Sequence, residues 1–148
     1  GRMARRIGER QDFANVWLND LDPLAPCLDH HDATDPRPWK GLDLRPSSWV
    51  ITNPPFNRAG KIAQLALKHA GHVALLLRCT FGEPVAQRTW LAQRPPTAIL
   101  MLPRISFTGL GVDMAPTWWF IWSSAVPPGI KCMTRATAAG QLALGGDR

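Results

Sequence analysis

The sequence predicts an α/β fold, a mostly parallel sheet with an antiparallel final pair of strands. Three observations carry this: strand-like and helix-like runs alternate along most of the chain, one apolar run is continuous rather than alternating, and two strand-like runs close the pattern without a helix between them. The chain has 148 residues, 45% hydrophobic and 19% charged, which suits one ordinary globular domain.

The first element is a short amphipathic helix over Arg2 to Arg10, with Met3, Ala4 and Ile7 at helical spacing among charged residues. A strand over Ala14 to Leu18 follows and delivers Asn19-Asp20-Leu21-Asp22-Pro23 to its C-terminal edge. A loop rich in Asp, His and Pro runs from Leu24 to Pro46, with a brief strand near Leu28. Ser48 to Thr52 is an apolar strand halted by Pro54-Pro55.

A helix is expected over Ala59 to Ala70, with Ile62, Leu65, Ala66 and Ala70 on one face and Lys61, Gln64 and Lys68 opposite. Val73-Ala74-Leu75-Leu76-Leu77 has the unbroken apolar character of a strand buried on both faces. Pro84 to Gln93 reads as a helix, and Ala98 to Leu102 and Trp118 to Trp122 as the last two strands, flanking a glycine-bearing loop from Ser106 to Pro116. Residues 1–126 are read as one domain, and the Gly- and Ala-rich segment 127–148 as a weakly structured tail.

Seventeen Lys and Arg against eleven Asp and Glu leave a net charge of +6, which attracts polyanions through counterion release without naming one. Three widely spaced cysteines, Cys27, Cys79 and Cys132, argue against a disulfide framework and favour a reducing, cytoplasmic setting. No apolar run has the length of a membrane span, so no membrane partner is expected. Cys27, His30 and His31 supply one Cys-x-x-His unit without a second, so no metal is expected. Trp118, Trp119 and Trp122 read as sheet core and rim rather than as a stacking platform.

The chemistry-bearing string is Asn53-Pro54-Pro55-Phe56, placed just after a strand. Such a string should arise by chance in far fewer than about one in a hundred chains of this length. It resembles the catalytic motif of the amino-methyltransferases, and the chain around it is similar to the phage-type DNA adenine methyltransferases. That similarity runs from Asn19-Asp20-Leu21-Asp22-Pro23 through His31-Asp32-Ala33-Thr34 and the motif to Leu102-Pro103-Arg104-Ile105-Ser106-Phe107-Thr108-Gly109 and the tryptophan-rich strand.

An exocyclic base amine is a poor nucleophile because its lone pair is delocalised into the ring. A catalyst must therefore hold the nitrogen with that lone pair aimed at the methyl donor. The Asn53 side-chain carbonyl and the Pro54 backbone carbonyl can each accept one N–H and stabilise the charge that develops on nitrogen. Pro54 and Pro55 restrict the backbone that aims these acceptors. Phe56 offers a ring on which an unstacked base can lie, a contact worth about 1–3 kcal/mol.

The resemblance implies a Rossmann-like class I methyltransferase sheet, S-adenosylmethionine as cofactor and the adenine amine of DNA as acceptor. It assigns Asp20 to the cofactor's ribose hydroxyls, Leu21 to packing against its adenine ring, Asp32 to its adenine amine, the Ala33 N–H to that ring, and Asn53 to cofactor binding as well as catalysis. An RNA base amine or a protein glutamine amide fits the same two acceptors. A non-catalytic nucleic-acid-binding remnant fits the charge.

The family's glycine-rich loop after its first strand is not found, and Gly1 with the Arg2–Arg10 helix matches the end of that loop. The resemblance thus implies a sheet lacking its first, central strand, a gap flanked by unpaired backbone groups. These 148 residues are accordingly expected to bind S-adenosylmethionine weakly or not at all. Calorimetric titration giving tight, stoichiometric binding would overturn that expectation.

Overall fold

A computed structural model of the chain describes residues 16–25, 27, 29–102 and 116–132. They divide into two compact units, the first before Asp43 and the second from Asp43 onward. The expected helix over Arg2–Arg10, the residues Ala14, Asn15 and Leu28, and the stretch from Pro103 to Ala115 lie outside the described residues. No helix among the described residues is long and apolar enough to cross a membrane.

The described residues of the first unit hold little regular structure. Val16 to Leu18, the described part of the strand expected over Ala14 to Leu18, carry no ladder, and one parallel bridge joins Asn19 to Asp29 just after them. A six-residue helix, α1 (Pro36–Gly41), interrupts the stretch read as loop. Asp35 caps it by accepting the Arg37 backbone N–H, and Pro36 occupies the first turn, where a missing N–H costs nothing. Trp39 buries its ring there and donates Nε1–H to the Ala33 carbonyl at 3.0 Å.

The second unit is an α/β sheet with β1 (Trp49–Thr52), α2 (Ala59–His69), β2 (His72–Arg78), a 3-10 turn (Cys79–Gly82), α3 (Val85–Gln93), β3 (Ala98–Met101), β4 (Thr117–Trp122) and β5 (Gly129–Cys132). The strand order is β1-β2-β4-β3-β5. β1 pairs with β2 and β3 with β5 in parallel, whereas β4 is antiparallel to both β2 and β3. Four strands therefore run one way and β4 runs against them: the sheet is mixed, β3 and β4 pair antiparallel as expected, but they are not the final pair, since β5 follows and joins β3 in parallel. β4 enters between β2 and β3, so the antiparallel strand is internal.

Gly129 to Cys132, read from sequence as the start of a weakly structured tail, forms β5 instead. A four-residue edge strand that opens on Gly and leaves Ile130 71% exposed has almost no hydrophobic pattern to read; its placement comes from backbone pairing with β3.

β2 lies between two strands, and Val73, Leu75 and Leu77 are fully buried. Their register places them beside Trp122, Phe120 and Trp118, so these six side chains share one face of the sheet. On that face Phe120 meets Phe81 edge-on at 5.9 Å and Trp122 meets Trp90 of α3 at 5.7 Å. Trp122 also donates Nε1–H to the Arg94 carbonyl at 3.0 Å, which satisfies its one polar atom. α2 buries Ala59, Ile62, Ala63 and Ala66, a stripe at i, i+3, i+4 and i+7; Leu65 lies at its half-buried margin.

The entry to β1 is held by a tight contact. Ser48 closes a turn onto the Arg45 carbonyl at 2.9 Å and accepts the His72 N–H at 3.1 Å, while Trp49 stacks on His72 with ring centroids 4.9 Å apart. This brings the Pro46 backbone against Gly71. A Cβ at Gly71 would stand 1.8 Å from the Pro46 carbonyl oxygen and 2.6 Å from its carbon. Backbone atoms cannot yield by changing rotamer, so Gly71→Ala is expected to cost about 1–3 kcal/mol of stability as an overpacking change. Urea unfolding checks this, and an unchanged midpoint would refute it.

Candidate active site

Asn53 immediately follows β1, so the motif stands beyond the C-terminal ends of the parallel strands β1 and β2, the side on which open α/β sheets bind ligands. Asn53 is exposed and Pro54 buried. Pro55 opens a turn in which its carbonyl accepts the Arg58 N–H at 2.9 Å; the Arg58 carbonyl then accepts from Ile62 at 3.1 Å as α2 begins. Pro54 and Pro55 lack N–H groups, so they cannot extend the β1 ladder, and the chain leaves the sheet at Asn53.

Among the described residues, neither the Asn53 side-chain carbonyl nor the Pro54 backbone carbonyl takes part in a hydrogen bond. Both acceptors that the motif should offer are thus uncommitted. Phe56 is 41% exposed, and the Arg78 guanidinium carbon lies 4.5 Å from its ring centroid. The sheet register explains the meeting. Thr52 is level with Leu75, so Arg78 lies about 10 Å further along β2 at roughly 3.3 Å per residue, a distance that four residues from Thr52 to Phe56 can cover. One face of the ring is therefore occupied by a cation.

Arg78 was not singled out in the sequence. Its signal was present as a lone Arg closing the apolar run Val73–Leu77, but an Arg there also suits a strand simply leaving the core.

The acids expected to hold the cofactor belong to the first unit. There Asp20 donates its backbone N–H to the Asp29 carbonyl at 3.1 Å, and Asn19 forms a two-way clamp on His31, donating to its carbonyl at 3.0 Å and accepting its N–H at 2.8 Å. His30 Nδ1 lies 2.9 Å from the Asp20 carbonyl. The segments bearing Asp20 and Asp32 therefore run side by side and in parallel.

Asp20 is exposed; its Oδ1 accepts the Asp22 N–H at 3.1 Å, and its other oxygen has no partner among the described residues. Leu21 beside it is 55% exposed. Asp32 is half-buried, and its Oδ1 accepts both the N–H and the hydroxyl of Thr34 at 2.8 Å. The Ala33 N–H has no partner among the described residues. A ribose diol suits the exposed carboxylate of Asp20, an adenine ring suits the exposed Leu21 and the open Ala33 N–H, and Asp32 brings a carboxylate whose Oδ1 already holds Thr34.

Nearby, the Asp35 carboxylate holds the Arg37 guanidinium above its ordinary pKa, first by hydrogen bonding and then by charge. Cys27 Sγ lies 3.8 Å from His30 Nδ1, but no group of three or more His, Cys, Asp or Glu suited to a metal exists among the described residues.

Comparison with protein-family models, with curated proteins and with solved structures finds no match to this chain.

The clamp predicts a local effect. Asn19→Leu removes two hydrogen bonds of about 1 kcal/mol each, so the His31 amide should lose several-fold protection in hydrogen exchange while β2 amides keep theirs. Equal loss in β2 would mean that the clamp supports the whole chain rather than this segment.

Proposed function

We propose that the chain is the catalytic part of an S-adenosylmethionine-dependent amino-methyltransferase acting on the exocyclic amine of adenine in DNA, with a Rossmann-like class I sheet. The observation that carries the reading is the pair of uncommitted acceptors, Asn53 and Pro54, at the C-terminal end of a parallel strand beside an exposed aromatic ring. The net charge of +6 favours a polyanionic substrate over a neutral one.

Asn53 and Pro54 accept the two N–H groups of the amine and so favour a pyramidal nitrogen, whose lone pair is less delocalised into the ring and points toward the methyl donor. Bound S-adenosylmethionine would supply an electrophilic methyl group from its sulfonium sulfur, which would leave as a neutral thioether as the nitrogen gained the methyl. The two carbonyl oxygens lie next to the positive charge that the nitrogen gains, and the methylated amine then gives one proton to solvent. Phe56 stacks on the base and partly offsets the pairing lost when it leaves the duplex. Asp20 would hold the ribose diol of the cofactor, Leu21 and Ala33 its adenine ring, and Asp32 the adenine amine.

A labelled methyl-transfer assay tests this, offering duplex DNA, ribosomal RNA and protein side by side at cofactor concentrations high enough to compensate for weak binding. Transfer to adenine in DNA is expected, with Asn53→Ala lowering turnover by about 10²–10³-fold, as for other lost charge-stabilising groups. Label carried to RNA or to glutamine would move the substrate class. Transfer indifferent to Asn53 would sink the reading.

A further inference from the structure

Arg78 is exposed at the end of β2, and its cation–π contact with Phe56 is its one side-chain interaction among the described residues. A guanidinium is planar: it can lie on an aromatic ring with its face while its N–H groups point outward from its edge. Here the guanidinium carbon stands 4.5 Å from the Phe56 centroid, and no N–H of the Arg78 side chain has a hydrogen-bond partner among the described residues. Phe56 keeps 41% of its surface exposed with Arg78 in place, so part of the residue is open to a ligand.

We propose that Arg78 is a nucleic-acid-binding residue. It fixes the Phe56 ring from one side and donates its outward N–H groups to a phosphate next to the base that stacks on the ring's other side. This rests on the reading of Asn53–Phe56 as a base-amine site. Phosphate suits the free edge because two N–H groups of one guanidinium match two oxygens of one phosphate. The base and its own phosphate backbone would then be gripped by neighbouring side chains from the ends of β1 and β2. A protein amide substrate would leave the Arg78 edge without an anion, so the pair favours a nucleic acid.

The test is equilibrium binding of the 148-residue chain to a fluorescent, adenine-containing single-stranded oligodeoxynucleotide across a salt series. For Arg78→Gln, the slope of log affinity against log salt should become shallower by about 0.7, one phosphate contact on a single strand. Arg78→Lys should restore that slope. Phe56→Leu should weaken binding about 5- to 150-fold at every salt concentration while leaving the slope unchanged. Both side chains are exposed, and matching thermal melts verify that the variants fold.

An Arg78→Gln slope equal to that of wild type, or no binding by wild type, overturns the proposal. The outcome is separable from that of the methyl-transfer reading. A slope lost with Arg78 alongside methylation indifferent to Asn53 would remove the catalytic reading alone; Asn53-dependent methylation with an unaltered slope would remove the role of Arg78 alone.

Discussion

Positions in the second unit are measured from β2. It is paired on one side with the parallel β1 and on the other with the antiparallel β4, and Val73, Leu75 and Leu77 are withdrawn from water completely. Burying side chains of this size contributes roughly 1.5–3 kcal/mol each. Sliding β2 by one residue would exchange its two faces, separating Leu75 from the side of Phe120, and Val73 from that of Trp122. The register is thereby held by packing, and the level of Thr52 against Leu75 follows from it. The position of Asn53, one residue further, is an outcome of that core.

The prolines turn this register into a site. Without them β1 could continue alongside Leu76 and Leu77, and the backbone carbonyl at position 54 would be open to a ladder hydrogen bond. With two successive residues lacking N–H, the strand stops and the Pro55–Arg58 turn leads into α2. Ala59 at the start of that helix is fully buried, so the turn is anchored at its far end too. Asn53 to Phe56 is thus a short span between a strand fixed by β2 and a helix fixed by its small-residue stripe.

How much of this could be read beforehand differs by cause. β2, α2, α3 and β4 were legible because each is long enough to show a period or an unbroken apolar run, and their expected ends fall within a residue or so of the observed ones. α1 and β5 were not. α1 is six residues with two prolines and owes its helix to the Asp35 cap and to one buried Trp39, while β5 depends on its partner. Of the strand expected over Ala14 to Leu18, the described residues carry no ladder; just after them Asn19 spends its side chain on His31 and Asp20 ties Asp22, both of which favour local turns. In the site, Asn53 and its neighbours were visible as a string of residues. Arg78 was not, since its partner lies 22 positions away in sequence and only the sheet register brings the two together.

The polar character of the loop also narrows what it can hold. Two backbone donors are deleted at Pro54 and Pro55, and two acceptors, the Asn53 and Pro54 carbonyls, are left without partners among the described residues. A ligand carbonyl would face the Pro54 oxygen and could pair only with Asn53, after its amide turned to present N–H₂, whereas an edge bearing an N–H₂ group would pair twice. Asn53 can be solvated while it waits because it is exposed; Pro54 is buried, so its carbonyl has less access to water and more to gain from a donor. On the proposed reading this asymmetry favours an amine over a keto oxygen before any contact with the rest of the base. Discrimination by the loss of buried pairing is stronger than discrimination by fit.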